Sequence, residues 1–323
     1  MIHSIKKGLL VGLNVTWLLG KVIFPITLIL AILQHTPVLP WLFDLIAPFM
    51  SIFGLSGEAA IPLVLGNVLT LYAGIGAILS LDLTVKEVFT IALMLGFAHS
   101  MFIESAVVMK VGIKLWVVLL VRYGLAILSG IMVNLFWQGG SQTAQFGLLS
   151  NTSQTETVTG WLPITLDALQ QAFIGVFQLM LIVIPLMIVI QILKDNRFID
   201  VFSKKMAPIT RTLGMSENTS TTLTAGLLFG LSYGAGVMIQ ASREEGVSKK
   251  DLTIAFIFLG ACHAVIEDTL IFVPLGIPVL PLLLIRVGIA ILLTVIVAIL
   301  WKKAESARRK EVTYGQKNHN STI

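Results

Sequence analysis

Residues 137–163 have the sequence WQGGSQTAQFGLLSNTSQTETVTGWLP and separate the two halves of an otherwise apolar chain. This linker is rich in Gly, Ser and Thr and contains neither Lys nor Arg. Basic residues cluster instead near both ends of the chain, in IKK at 5–7 and WKKAESARRKE at 301–311. Membrane proteins keep Lys-rich and Arg-rich loops in the cytoplasm. We therefore expect the linker outside the cell and both termini inside.

Six apolar runs flank the linker, and each is long enough to cross a bilayer core, which needs about 20 residues. The chain has 323 residues, of which 56% are hydrophobic and 12% charged, a composition that excludes a soluble globular domain. We keep the first run as a span, because it is too long for a signal-peptide core and lacks a small-residue cleavage site. The runs cover residues 8–34, 88–109, 115–137, 170–193, 252–273 and 280–301.

The two halves are copies of one unit. At an offset of 160 residues, Pro25 matches Pro185 and Gly74 matches Gly234. A four-residue insertion in the second copy then changes the offset to 164. At that offset the matches are His99 with His263, Glu104 with Asp268, and Arg122 with Arg286.

The two units are expected to be inverted, since one starts inside and ends outside while the other does the reverse. Each unit must then cross the membrane an odd number of times, and its three apolar runs already do so. The Gly-rich segments 57–80 and 217–240 are therefore expected to enter the membrane and return to the same side. With dips, 18 of the 22 Lys and Arg residues are cytoplasmic, three (Lys21, Arg122, Arg286) lie in spans and only Lys86 is outside. Glycines allow a broken helix at membrane depth. We expect the breaks at Gly74 to Gly76 and at Gly234 to Gly236.

The predicted fold is an all-α polytopic membrane protein with two inverted-topology repeats. Each repeat has three transmembrane helices, an interfacial helix, at 40–53 or 199–211, and a Gly-rich re-entrant or broken helix. The predicted divisions are a first repeat at 1–137, an extracytoplasmic linker at 138–169, a second, inverted repeat at 170–301 and a basic cytoplasmic tail at 302–323.

Ionisable residues within the spans are functional candidates, because each costs ~3 kcal/mol on insertion scales. Glu104 and Arg122 each lie about nine residues from the turn at 110–114, which places them ~13 Å deep in helices that rise 1.5 Å per residue. Asp268 and Arg286 flank the PLGIP turn in the same way. We expect both pairs to form near the midplane, where they either serve the substrate or only hold a helical hairpin together.

His99 and His263 lie at equivalent depths in the two repeats. On a continuous helix His99 would point ~140° away from Glu104, whereas His263 can reach Glu267 at i+4. A buried histidine is usually structural, but histidine is also the side chain that exchanges protons most readily near neutral pH. We expect His99, His263 or Glu267 to contact substrate or to couple transport to protons, with a structural role as the alternative.

The second dip is rich in hydroxyl groups, with SENTSTTLT at 216–224 where the first dip has SGEAAIPLV at 56–64. These hydroxyls either line a permeation pathway or bond back to their own helix. Helix N-termini near Glu58 and Asn218 are expected to orient polar or anionic groups. Lys21 is a weaker candidate, because its long stem can snorkel.

Motifs for catalysis and cofactor binding are absent from the sequence. It has no Walker loop, Rossmann fingerprint, His-Glu-x-x-His pattern or Gly-x-Ser-x-Gly elbow. Its single cysteine, Cys262, excludes an internal disulfide and a Cys-based metal cluster. We predict no enzyme activity, no catalytic residue, no metal ligand and no cofactor. An intramembrane enzyme would need a nucleophile such as Ser100 or Cys262 beside a histidine.

Two stretches, GLSGEAAIPLVLGNVLTLYAGIGAI at 54–78 and GLLFGLSYGAGVMIQASRE at 226–244, resemble the Gate motifs of the nucleoside-recognition family. The membrane part of ferrous-iron transporter B and spore-maturation membrane proteins share these motifs. The resemblance covers nearly the whole chain as two Gate units. Iron-transporter gates carry Gly-Cys-Asn-Val-Pro where this chain has SYGAG at 232–236, so ferrous iron is not the expected solute.

The resemblance implies a transporter of the prokaryotic inner membrane whose Gly-rich dips form the gate. The candidate gate residues are Asn67, Tyr72, Gly74, Gly76, Asn218, Thr222, Ser232, Tyr233, Gly234 and Gly236.

We expect a secondary transporter or facilitator for a small polar solute, either nucleoside-like or a small organic anion. Its site would lie at the repeat interface and alternate in access. A scaffold or accessory subunit with structural ion pairs is the alternative. Expected partners are membrane lipid and the solute, without nucleic acid, and a second copy of the chain is a further candidate. The expected location is the cytoplasmic membrane, with both termini in the cytoplasm.

Overall fold

The computed structural model describes residues 2–144, 160–195, 198–243 and 247–320, and this part of the chain contains fourteen α-helices and no β-strand. Much of the predicted linker lies outside the described residues. The helices are α1 (Ile2–Gln34), α2 (Val38–Met50), α3 (Ala60–Val68), α4 (Leu71–Ile78), α5 (Val85–Phe97), α6 (Met101–Lys110), α7 (Leu115–Phe136), α8 (Trp161–Asp195), α9 (Phe198–Thr212), α10 (Ser220–Tyr233), α11 (Ala235–Ala241), α12 (Lys249–Ala261), α13 (Val265–Leu270) and α14 (Val279–Asn320).

Six segments of the described chain are long and apolar enough to cross a membrane, and they match the six predicted runs. A multi-pass membrane protein is therefore confirmed. A further pair of helices, Pro40–Phe53 with Gly57–Val68, is bent by 84° and forms a broken span or a re-entrant loop. The six segments are Ile2–Leu33, Val85–Lys110, Leu115–Phe136, Trp161–Ile192, Lys249–Leu270 and Val279–Ala307.

Helices α1 and α8, the first long helix of each half, pack against each other in antiparallel directions. Gly8 lies against Ile188 and Gly20 lies against Val176, so residue numbers rise along one helix as they fall along the other. A Cβ atom on Gly8 would lie 2.6 Å from the Cα of Ile188. Small residues allow membrane helices to approach this closely, so Gly8 sets the distance between α1 and α8.

Helices α5 and α12 form the centre of the molecule, and α7 and α14 pack against both of them. In their most apolar stretches, 78% of the residues are buried, compared with 22–39% in the other four spans. Both helices start at a hydroxyl cap: Thr84 accepts a bond from the N–H of Glu87, and Ser248 accepts one from Asp251. The two central helices therefore begin at matching residues of the two repeats.

The first Gly-rich segment folds back on itself. Its helix α3 ends at Val68, and Thr70 then caps α4, which returns along α3. A Cβ atom on Gly74 would lie 2.9 Å from the carbonyl oxygen of Pro62 and 3.1 Å from the Cα of Gly66. Gly74 therefore permits the close packing of the two arms of the hairpin.

The second Gly-rich segment breaks within α10. Gly230 has φ 73° and ψ 179°, a backbone conformation that is almost confined to glycine. After this break Gly234 lies against the backbone of Ala225. Both dips are therefore helical hairpins.

The positions of the breaks differ from the sequence-based expectation. Gly74 and Gly76 lie inside α4, Gly236 lies inside α11, and Gly234 has a helix-like backbone of φ −80° and ψ −6°. Each break lies four residues earlier, at Thr70 and at Gly230. The expectation places the breaks at glycines that recur in both repeats, but at Gly74 the glycine instead allows close packing of α3 and α4.

Candidate functional site

The second span of each half is interrupted directly after its histidine. Between α5 and α6, Ser100 has φ 48°, and between α12 and α13, Ala264 has φ 46°. The N–H of Ser100 donates to the carbonyl of Gly66 at 2.8 Å, and that of Ala264 donates to Gly226 at 3.1 Å. A hydrogen bond from the neighbouring hairpin therefore holds each interruption in place.

This interruption corrects the expected orientation of His99. On a continuous helix His99 would point ~140° away from Glu104, but its Nε2 lies 3.4 Å from Oε1 of Glu104. The left-handed backbone of Ser100 turns the chain between the two residues, so they do not share one helix. The predicted runs 88–109 and 252–273 are thus broken spans.

His99 and His263 meet where the two halves of the chain contact each other. Their Nε2 atoms are 3.3 Å apart, and only 4% and 0% of the two residues is exposed. The Nδ1 of each ring donates to a carbonyl one turn earlier, Leu95 at 2.6 Å and Leu259 at 2.8 Å. The backbone therefore orients both rings toward each other.

Glu104 lies between the histidines and Arg122. Its Oε2 is 2.6 Å from Nη1 of Arg122 and 3.4 Å from Nε2 of His263. Arg122 also donates from Nε to the carbonyl of Phe97 and from Nη2 to that of His99, both at 2.9 Å. The first predicted ion pair forms, and its arginine also binds the carbonyls left free where α5 ends.

The second predicted ion pair forms as well. Nη2 of Arg286 lies 2.8 Å from Oδ2 of Asp268 and donates to the carbonyl of His263 at 3.1 Å. Arg286, like Arg122, is fully buried. A Cβ atom on Gly96 of α5 would lie 3.0 Å from Cδ of Arg286. The arginine of the second half therefore packs against the central helix of the first.

Glu267 joins the two halves through a separate contact. The hydroxyl of Tyr72 in α4 donates to Oε1 of Glu267 in α13, and both residues are buried. The expected contact between His263 and Glu267 is not what orients the histidine. Its Nδ1 bonds Leu259 and its Nε2 faces Glu104, because the helix is interrupted just after the histidine.

The candidate gate residues divide into a buried and an exposed group. Gly74, Gly76, Gly234, Tyr72 and Thr222 are buried, and Asn67 is half-buried with its amide bonded to Leu63 of the same helix. Asn218, Ser232 and Gly236 are exposed, and the side chain of Tyr233 lies outside the described residues. Of the gate residues, Tyr72 donates a hydrogen bond to a buried acid of the other half, Glu267.

Two hydroxyl groups of the second hairpin lack the local hydrogen bond that the structural alternative predicts. Thr222 and Thr224 are buried, and their hydroxyl oxygens have no hydrogen-bond partner among the described residues. They do not bond back to their own helix, as a purely local role would require. Lys21 lies elsewhere, exposed on α1 with its Nζ 5.1 Å from the ring of Trp17.

Sequence reasoning missed that Ala264, Gly66 and Gly226 hold the histidines in place, and it considered Ser100 only as a nucleophile. Gly66 and Gly226 do match at the repeat offset of 160. That match was a signal that both hairpins need a close approach at this point. The left-handed backbone of Ser100 and Ala264 has no such signal, because neither residue type favours it.

The chain matches a known family over most of its length. The Gate family model, described as nucleoside recognition, matches residues 16–114 and 176–290. The chain belongs to the nucleoside recognition (Gate) family. The two Gate segments begin 160 residues apart, which is the offset of the internal repeat. They include both histidines and the buried acids Glu104, Glu267 and Asp268, while Arg122 lies just beyond the first segment.

The chain also resembles a bacterial membrane protein of similar length. The chain is 58% identical over 296 residues to the uncharacterized membrane protein YvoD of Bacillus subtilis (strain 168). The alignment covers 92% of this chain and 94% of that protein. No solved structure matches the chain.

Proposed function

We propose that this Gate protein is a secondary transporter for a small polar solute in the bacterial cytoplasmic membrane. The two repeats are inverted, both termini lie in the cytoplasm, and access to the site alternates as one repeat moves against the other. The chain acts as a transporter and not as an enzyme. The Gate match and the buried charges of the spans support this proposal.

The antiparallel packing of α1 and α8 supports the inversion. These helices occupy equivalent places in the two repeats, yet Gly8 of one faces Ile188 of the other and Gly20 faces Val176. Equivalent helices that run in opposite directions are expected of inverted repeats and are not expected of parallel ones.

The contact of Tyr72 with Glu267 is the observation that carries the proposal. It links the returning arm of one hairpin, α4, to the broken span of the other half, in the helix α13 that follows His263. Transporters with inverted repeats place their sites at such junctions of interrupted helices. A buried polar contact between the two halves is one that a rocking motion can break and remake.

A neutral nucleoside fits this site better than a small organic anion. With the histidines neutral, the buried carboxylates of Glu104, Glu267 and Asp268 outnumber the buried guanidinium groups of Arg122 and Arg286 by one, which leaves an excess of negative charge. An anion would add to this charge in a medium that screens it poorly. The unbonded hydroxyls of Thr222 and Thr224 can donate to and accept from a sugar. Proton coupling through His99, His263 or Glu267 stays a prediction.

Uptake into proteoliposomes tests the transport proposal. We expect the purified protein to take up at least one labelled solute from a panel of nucleosides, nucleobases and small carboxylates. Tyr72→Phe removes a hydrogen bond to a charged group, worth about 1.5–3 kcal/mol, and should change the uptake rate about tenfold or more. Tyr123→Phe, on an exposed position of α7, is the control and should match wild type.

Two results would contradict the proposal. Uptake of the whole panel at the rate of protein-free liposomes would favour the scaffold alternative. Equal uptake by Tyr72→Phe, Tyr123→Phe and wild type would show that the contact between Tyr72 and Glu267 is not needed for transport. A thermal-shift screen of the same panel identifies solutes that bind without being transported.

A further inference from the structure

We propose that His99, Glu104 and His263 form a binding site for one divalent transition-metal ion of the Zn²⁺ type. The three groups are buried, and each offers a ligand atom within 4.8 Å of the others. The two histidines lie 164 residues apart in the sequence, and for this reason no motif predicts the site. The proposal does not rest on solute transport.

The backbone determines which nitrogen of each ring is available to an ion. A carbonyl oxygen only accepts, so the Nδ1 of His99 carries the proton directed at Leu95, and that of His263 carries the proton directed at Leu259. In the neutral ring the lone pair is then on Nε2. Metal-binding histidines in proteins have this second bond, which orients the ring and raises its basicity.

The ligand atoms are spaced like the edges of a coordination tetrahedron. Zn²⁺ bonds nitrogen and oxygen at about 2.0–2.2 Å, so two ligands at a tetrahedral angle lie about 3.3–3.6 Å apart. The two Nε2 atoms are 3.3 Å apart, and each lies 3.4 Å from a different oxygen of Glu104, Oε1 for His99 and Oε2 for His263. With one ligand atom from each residue, the three atoms lie within 4.8 Å of one another, so a small rotation of the Glu104 carboxylate would let one ion reach all three groups. Its fourth position stays open to water or to a polar group of a solute.

The charges around the triangle favour a cation as its occupant. Two lone pairs and a carboxylate converge there, and the guanidinium of Arg122 compensates the carboxylate from the side of Oε2. A cation beside the two Nε2 atoms would also compensate the lone pairs. Imidazole ligands favour Zn²⁺ and neighbouring transition metals over Mg²⁺ and Ca²⁺. A proton is the competing cation. Apart from Asp251 at the start of α12, the buried acids and arginines of the described chain are Glu104, Glu267, Asp268, Arg122 and Arg286, whose formal charges leave one excess negative charge.

Titration with Co²⁺ tests the site directly, because tetrahedral Co²⁺ has visible absorption bands. We expect chelator-treated protein in detergent to bind one Co²⁺ per chain with a tetrahedral spectrum, and Zn²⁺ to displace it. His99→Gln and His263→Gln should each weaken binding by about tenfold or more. His35→Gln is the control, because His35 is exposed between α1 and α2, and it should bind like wild type.

The measurement on the wild-type protein is decisive even if a variant fails to fold. Protons compete least with Co²⁺ at mildly alkaline pH. If the wild-type protein binds no Co²⁺ there, the proposal is wrong, and a proton is the cation that the three groups bind. Binding that remains equally tight in a folded His99→Gln/His263→Gln double variant also overturns it. Because no transport is measured, a negative uptake assay leaves this result unaffected.

Discussion

Ser100 and Ala264 occupy equivalent places in the two halves and share a left-handed backbone, with φ 48° and 46°. Each directly follows a histidine and donates its N–H to a glycine carbonyl of the adjoining hairpin. Such a backbone costs an L-residue about 1–2 kcal/mol. The surrounding contacts must offset this strain, which is stored twice at the point where the histidines meet.

Replacing Ser100 by glycine should leave stability unchanged or raise it by up to about 1 kcal/mol, because glycine adopts this backbone without strain. Ser105→Gly is the matched control, since Ser105 lies inside helix α6, where the same change should lower stability by about 0.5–1 kcal/mol. Apparent melting temperatures of the two variants in detergent check the prediction. Equal losses in both variants would show that the turn at Ser100 is not strained.

Gly230→Ala should lower stability by about 1–3 kcal/mol. Its φ of 73° and ψ of 179° are almost confined to glycine, and a Cβ atom would lie 3.0 Å from the Cβ of Ala264. Gly236→Ala serves as the control, because that position lies in α11 with open space around it and should gain slightly. Thermal unfolding of both variants measures the difference, and similar melting temperatures would refute it.

Apolar length and charge distribution predict the spans and the ion pairs of this protein well. Both signals are local: a run of apolar residues defines a helix, and equal distance from one turn brings Glu104 to Arg122 and Asp268 to Arg286. The repeat offset predicts that the halves correspond, residue by residue. These features can be predicted because the interactions that produce them depend on residues close together in the sequence or on the repeat itself.

The meeting of His99 with His263 has no local cause, which explains why the sequence predicted His99 to point elsewhere. It depends on the turn at Ser100, held by the carbonyl of Gly66, and on how the two halves dock. The break at Gly230 was misplaced for a related reason. Glycine serves both chain reversal and close packing, and a sequence does not distinguish the two roles.

Glu104→Leu should lower stability by about 3–5 kcal/mol, because it leaves the fully buried guanidinium of Arg122 without its carboxylate. The exposed pair of Arg211 with Glu217 provides the control, and Glu217→Ala should cost less than about 1 kcal/mol. Thermal unfolding in the presence of a chelator separates this effect from metal binding. A loss under about 1 kcal/mol for Glu104→Leu would show that the buried pair does not hold the broken span.

Gly8→Ala should lower stability by about 1–3 kcal/mol, because the new Cβ would lie 2.6 Å from the Cα of Ile188 and α1 and α8 would have to separate. Backbone atoms cannot turn aside as a flexible side chain can, so the whole helix pair must shift. Gly175→Ala is the control, because a Cβ atom at this position of α8 would meet nothing within 4 Å. It should stabilise the protein by about 0.5–1 kcal/mol, since alanine favours a helix more than glycine does. Melting temperatures that move in the same direction for both variants would mean that the closeness of α1 and α8 is not required for the fold.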